Sequence, residues 1–123
     1  MSEEISQCLN AFPELEEYYS REKLLDATSS GNYIFFEDYF NEFVENYGNN
    51  EYFFQRVGVF IESMATNPNA DVRNLAEIGL LEGLVNRRVY TVANFLGKHS
   101  KKLLMNASQR TKFDKKVWLQ SKC

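Results

Sequence analysis

Apolar residues recur along much of this chain at the spacing of an α-helix. Between Tyr33 and Tyr47 the positions Phe36, Tyr39, Phe40, Phe43, Val44 and Tyr47 run i, i+3, i+4, i+7, i+8, i+11, which is one helical face. Glu37, Asp38, Glu42 and Glu45 fall mostly on the opposite side, and Gly48 follows where a left-handed cap is expected. A second helix is predicted from Asn49 or Asn50 as N-cap, with Phe53, Phe54, Val57, Phe60, Ile61 and Met64 turned inward and Pro68 ending it. A third, over 71–85, is apolar nearly all the way round through Val72, Leu75, Ile78, Leu80, Leu81, Leu84 and Val85, the pattern of a helix packed on several sides. Upstream, Pro13 opens a predicted helix over 13–27, preceded by a short one with Ile5, Cys8 and Leu9 inward and followed by a Ser-Ser-Gly-Asn loop. Downstream, 88–96 reads as helix up to Gly97, and 100–120 as one long helix or two short ones. Strand patterning is nearly absent. The expectation is all-α: a single compact domain of about six to seven helices joined by short turns into antiparallel neighbours. Within it lie acidic N-terminal helices over 1–32, a central core over 33–97 and a basic helical segment over 98–123.

The segment Asp71-Val72-Arg73-Asn74-Leu75-Ala76 resembles the second helix of a HEAT-type repeat, which implies a HEAT-like stack in shape, although no second copy of the motif is visible. A length of 123 residues suits one domain, and an aromatic content of 15% is ample to offset the ordering entropy of folding. No basic and then apolar leader opens the chain, and no stretch reaches the ~20 apolar residues of a membrane span. With Cys8 and Cys123 as the only thiols, reduced cysteines and a cytoplasmic location are expected.

Charge is divided along the chain. Residues 1–50 hold eleven acids against Arg21 and Lys23 (−9), residues 51–86 five acids against two bases (−3), and residues 87–123 ten bases against Asp114 (+9). The basic end, with Lys98, Lys101, Lys102, Arg110, Lys112, Lys115, Lys116 and Lys122, could contact phosphates. Aromatic interleaving is limited there to Phe113 and Trp118, and the whole chain is acidic, so a nucleic-acid-binding regulator is the lesser expectation.

No constellation for catalysis is apparent. His99 is the only histidine and stands among lysines, which suits a solvated side chain better than a general base. Asp38, Glu42 and Glu45 are spaced i, i+4, i+7, but helical metal sites of this kind need Glu-x-x-His pairs that the chain lacks. The glycines form no phosphate-cradling motif, and those at 79 and 83 suit close helix packing. No enzyme activity, cofactor or metal is therefore expected. Two acids interrupt apolar stretches: Glu62 within Val59-Phe60-Ile61-Glu62-Ser63-Met64, and Glu82 between the registers of Leu75 and Ile78. Burying an unpaired carboxylate is costly, so each should have a partner such as Arg56, Arg73 or Arg88, or else line a surface used in binding.

Phe60-Ile61-Glu62-Ser63-Met64, a short Asn/Pro loop, Asp71-Val72-Arg73-Asn74-Leu75 and Leu80-Leu81-Glu82-Gly83-Leu84 together resemble a group of small helical bacterial immunity proteins. These accompany the toxins of contact-dependent growth-inhibition and other polymorphic toxin systems. The resemblance covers about residues 33–97. It implies a stoichiometric inhibitor that docks one-to-one on a cognate toxin domain, such as a nuclease, and blocks its active site or substrate entry. An acidic surface suits a partner whose own site binds a polyanion. The expected contact residues are Glu37, Asp38, Glu42 and Glu45, then Glu62 and Glu82, with Tyr33 or Tyr52 as aromatic anchors. The competing expectation is a helical adaptor or scaffold for an unrelated protein.

Overall fold

The computed structural model describes residues 1–47 and 50–110, and within them every regular element is helical. Together they form a single compact all-α domain. The first helix, Glu3–Ala11, is started by Ser2, whose hydroxyl accepts from the Ile5 amide. It buries Ile5 and Cys8 and delivers Phe12 to the centre of the core. There the Phe12 ring meets Phe40, Phe43, Phe53 and Phe60 at centroid distances of 5.2, 6.3, 5.9 and 5.7 Å, all edge-on, the arrangement that aromatic quadrupoles favour.

The helix predicted over 13–27 is two pieces, Leu15–Tyr18 and Arg21–Ser29. Tyr19 adopts an extended conformation and Ser20 caps the second piece by accepting from the Lys23 amide. A serine inside an apparently continuous pattern restarts the helix because its hydroxyl competes for backbone amides.

The aromatic helix runs over 32–47, and its middle portion, Phe35–Phe40, has the wider turn of a π-helix. Phe36, Phe40, Phe43 and Val44 are buried as their spacing predicts, and so are Phe35 and Asn41 on either flank. The central helix over 70–86 has a matching wide segment, Leu75–Leu81. It packs against the aromatic helix, the 51–65 helix and the last helix, so its all-round apolar pattern corresponds to a central position. The two wide segments meet at Asn41, whose amide donates to the carbonyls of Gly79 (3.2 Å) and Leu80 (3.1 Å). A change from i→i−4 to i→i−5 bonding leaves a carbonyl short of an amide, and Asn41 supplies donors there. Gly83 leaves the room that Asn41 occupies, since a β-carbon at 83 would lie 2.3 Å from its amide nitrogen.

Asn50 caps the helix Glu51–Ala65 by accepting from Phe53, as expected of that position; the predicted Gly48 cap lies outside the described residues. Arg73 donates to the carbonyls of Asn67 (2.7 Å) and Pro68 (2.8 Å), so the Asp-Val-Arg segment closes its own interhelical loop. The predicted helix over 88–96 is a 3-10 turn, Tyr90–Phe95. Arg88 takes a left-handed conformation (φ 59°), while the amides of Arg88 and Val89 bond back to the carbonyls of Val85 and Leu84. This is the Schellman ending of a helix, with arginine where glycine is usual. The turn lies so close to the 51–65 helix that a β-carbon on Gly58 would fall 2.0 Å from the Phe95 carbonyl oxygen. The last described helix is Lys98–Arg110; the predicted continuation to 120 lies outside the described residues. No helix among the described residues is long and apolar enough to cross a membrane.

Candidate functional site

The aromatic helix buries its phenylalanines inward and therefore turns its acidic side outward, but its four acids differ in what they meet. Glu37 and Asp38 are exposed, and neither side chain has an ion pair with a described residue. Glu42 is half-buried and accepts from the Tyr19 hydroxyl at 2.6 Å, which also donates to the Tyr39 carbonyl at 2.8 Å. Burial, then the bond and charge of Glu42, push the Tyr19 hydroxyl well above the usual tyrosine range, so it stays a donor. Glu45 pairs with Arg87 at 2.9 Å, and the same guanidinium reaches the Asp38 carbonyl at 3.4 Å. Asp38, Glu42 and Glu45 thus share a helical side without converging on one point. Lys23, over the Tyr39 ring at 5.8 Å, and Arg87 line a shallow cleft of about 330 Å³ together with Asp38 and Glu42.

Beside the unpaired acids stand Tyr33 and Ile34, 44% and 49% exposed, one turn earlier on the same helix. The Tyr33 ring would lie 3.5 Å from a β-carbon on Gly79, which places it against the central helix. Ile78, next to Gly79, is exposed as well. The outer surface of these two helices therefore combines exposed apolar side chains with carboxylates that have no ion pair among the described residues.

Glu62 has a different place from the one expected. Its carboxylate caps the start of the Lys98–Arg110 helix, accepting from the Ser100 amide (2.9 Å), the Ser100 hydroxyl (2.7 Å) and the His99 amide (3.3 Å), and it meets His99 Nδ1 at 2.8 Å. Among the described residues no arginine pairs with it. Arg56 is held by Glu14, and Arg73 by the loop carbonyls. Gly97 permits the approach, because a β-carbon there would lie 2.5 Å from the Glu62 carboxyl carbon. Burial raises the Glu62 pKa, but the bonds from Ser100 and His99 together outweigh it and bring it down to about 2. His99 is exposed, as its surroundings in the sequence suggest. Glu82 is half-buried on the central helix beside Gly83.

The sequence pattern did not single out Val59 and Gln55, which are exposed on the 51–65 helix with Tyr52. The inward set Phe53, Val57, Phe60 and Met64 leaves Val59 pointing outward, and that was the available signal. A larger cleft of about 560 Å³ opens beyond Arg87, between Glu45, Glu51, Arg88, Tyr90 and Asn94. The amide oxygen of Asn94 is buried there without a partner among the described residues.

A family model described as a domain of unknown function, DUF7674, matches residues 5–112. No curated protein matches, and no solved structure does.

Proposed function

The chain belongs to the DUF7674 family, and we propose that it acts by binding a partner protein, as an immunity protein that neutralises a cognate toxin domain. The observation that carries this reading is the outer side of the aromatic helix, where exposed Tyr33 and Ile34 adjoin the unpaired carboxylates of Glu37 and Asp38. Aromatic and aliphatic side chains held on a rigid helix lose little entropy on docking and serve as anchors. Unpaired acids beside them favour a basic partner, such as the substrate-binding surface of a nuclease. Glu45 is paired with Arg87 and contributes less of its own charge, while Glu42, bonded by the neutral Tyr19 hydroxyl, keeps its charge but is half-buried. Glu62 acts within the fold.

The test is co-expression of this chain with the toxin domain encoded beside its gene, followed by growth comparison and co-purification. Rescue with a one-to-one complex is the expected result. The paired reversal Glu37→Lys and Asp38→Lys should then weaken the complex at least about tenfold, since like charges would face each other. Both positions are exposed, so the unfolding free energy should change by no more than about 1 kcal/mol for the pair. An active toxin that the folded protein neither binds nor neutralises would leave the adaptor reading in its place.

A further inference from the structure

The Lys98–Arg110 helix packs along the central helix, where Asn106 donates to Glu77 at 3.4 Å. Arg110 lies one turn further on, so the chain enters residues 111–123 in the neighbourhood of Ile78, which follows Glu77. Ile78 is 41% exposed and borders Gly79, against which the Tyr33 ring is placed. Glu37 sits on the same strip, its Cγ 3.6 Å from where a β-carbon on Gly83 would stand. The strip is thus apolar at Tyr33 and Ile78 and anionic at Glu37, with exposed Asp38 at its border. Residues 113–123 lie beyond the span matched by the family model, and their chemistry complements that strip. Phe113, Val117 and Trp118 recur at i, i+4, i+5, and Lys112, Lys115, Lys116 and Lys122 stand against Asp114 alone.

We propose that residues 111–119 dock on the Tyr33–Glu37–Ile78 strip of their own chain and so compete with a basic partner for it. The apolar positions meet Tyr33 and Ile78, and the lysines meet Glu37 and Asp38. Nine residues span up to about 30 Å when extended, enough to pass from Arg110 over Ile78 to Glu37. The tether decides which occupant comes first. A segment joined by a short linker faces its site at an effective concentration of about 1 mM, so a contact with a dissociation constant of only about 0.1 mM is filled in roughly nine molecules of ten. A partner that needs the same strip then binds about tenfold more weakly than to an open strip, and must bring that much more affinity to displace the segment. The competition rests on the partner reading above. The docking does not, since it involves this chain alone.

Trp118 is the only tryptophan, so its fluorescence and its quenching by acrylamide read the segment within the full chain. In dilute, low-salt solution it should behave as a shielded indole. Raising salt from about 0.05 M to 0.5 M should expose it, because the pairing charges lie at the surface. Glu37→Lys with Asp38→Lys, and separately Lys115→Glu with Lys116→Glu, should each raise the exposed fraction about fivefold, as a tenfold weaker contact requires. Combining the two pairs should restore the shielding, which happens only where the two sites meet. Circular dichroism of the variants confirms folding, and the salt arm needs no variant. A wild-type Trp118 as open to quencher as in the unfolded chain overturns the proposal. So does shielding that ignores both salt and the reversals, or shielding lost on dilution, which would assign the contact to another molecule. A chain that shows the charge-swap rescue yet binds no toxin keeps the docking and removes only the competition.

Discussion

Glu62 interrupts an apolar run, yet its carboxylate is met by both Ser100 donors and by the amide and ring of His99. It stands in for the side-chain cap that Gly97 and Lys98 cannot provide for the last helix, and it adds a negative charge at the positive helix end. Glu62→Gln should therefore cost about 1–2 kcal/mol at neutral pH. The sign of the pH dependence follows from its pKa. That value, about 2, lies below the ordinary glutamate value, so the stabilisation is present above the unfolded pKa and is lost as pH falls toward about 2. Thermal unfolding of wild type and variant should differ at pH 7 and converge between about pH 5 and pH 2. An equal difference at both ends of that range would show that the charge plays no part. Asn41 is the other residue whose role depends on distant groups, because the carbonyls it serves lie 38 and 39 positions away.

At the scale of elements, the strongest periodicities corresponded to real helices, and the failures have local causes. The segment over 13–27 breaks because Ser20 caps a new helix, and the segment over 88–96 becomes a 3-10 turn because Arg88 ends the preceding helix in a left-handed conformation. Neither signal was strong in the sequence, since serine occurs in many roles and arginine rarely fills the left-handed position. The wide segments in the aromatic and central helices were also invisible, because apolar spacing does not distinguish a single π-turn from an α-turn. Packing between elements gives a direct test at Gly58, where the 3-10 turn touches the 51–65 helix. Gly58→Ala would press a methyl group onto the Phe95 carbonyl, a backbone group with little freedom to move. The expected loss is about 1–3 kcal/mol. In a thermal scan this is a fall of about 4 °C or more per kcal/mol, whereas an unchanged midpoint would mean that the turn relaxes freely.

For the whole molecule, the division of charge is what the proposed docking of a basic partner would exploit. The acidic excess of residues 1–86 and the basic excess of residues 87–123 oppose each other, and the Glu45–Arg87 pair is one place where they meet. If a basic protein docks on Glu37 and Asp38 as proposed, its association should slow as salt rises. Between about 0.05 M and 0.5 M salt the association rate should fall about tenfold or more, with dissociation changing less. The Glu37→Lys and Asp38→Lys double variant should show a flatter dependence. Stopped-flow or biosensor kinetics would measure both, and a salt-independent rate would remove charge from the recognition.

The sequence by itself determined the helical class, the central place of the 70–86 helix, the inward phenylalanines and the outward acids, because each depends on residues within a few turns of one another. It also marked Glu62 as needing a partner and offered Arg56, Arg73 or Arg88, whereas the structure gives it Ser100 and His99. The tertiary structure decided which acids stay free: Tyr19 takes Glu42, Arg87 takes Glu45, and the start of the last helix takes Glu62. It also decided that Tyr52 and Val59 share an open face while Arg56 is neutralised by Glu14. These pairings join residues 23 to 42 positions apart, and local periodicity carries no information about which distant groups the packed helices bring within hydrogen-bonding reach.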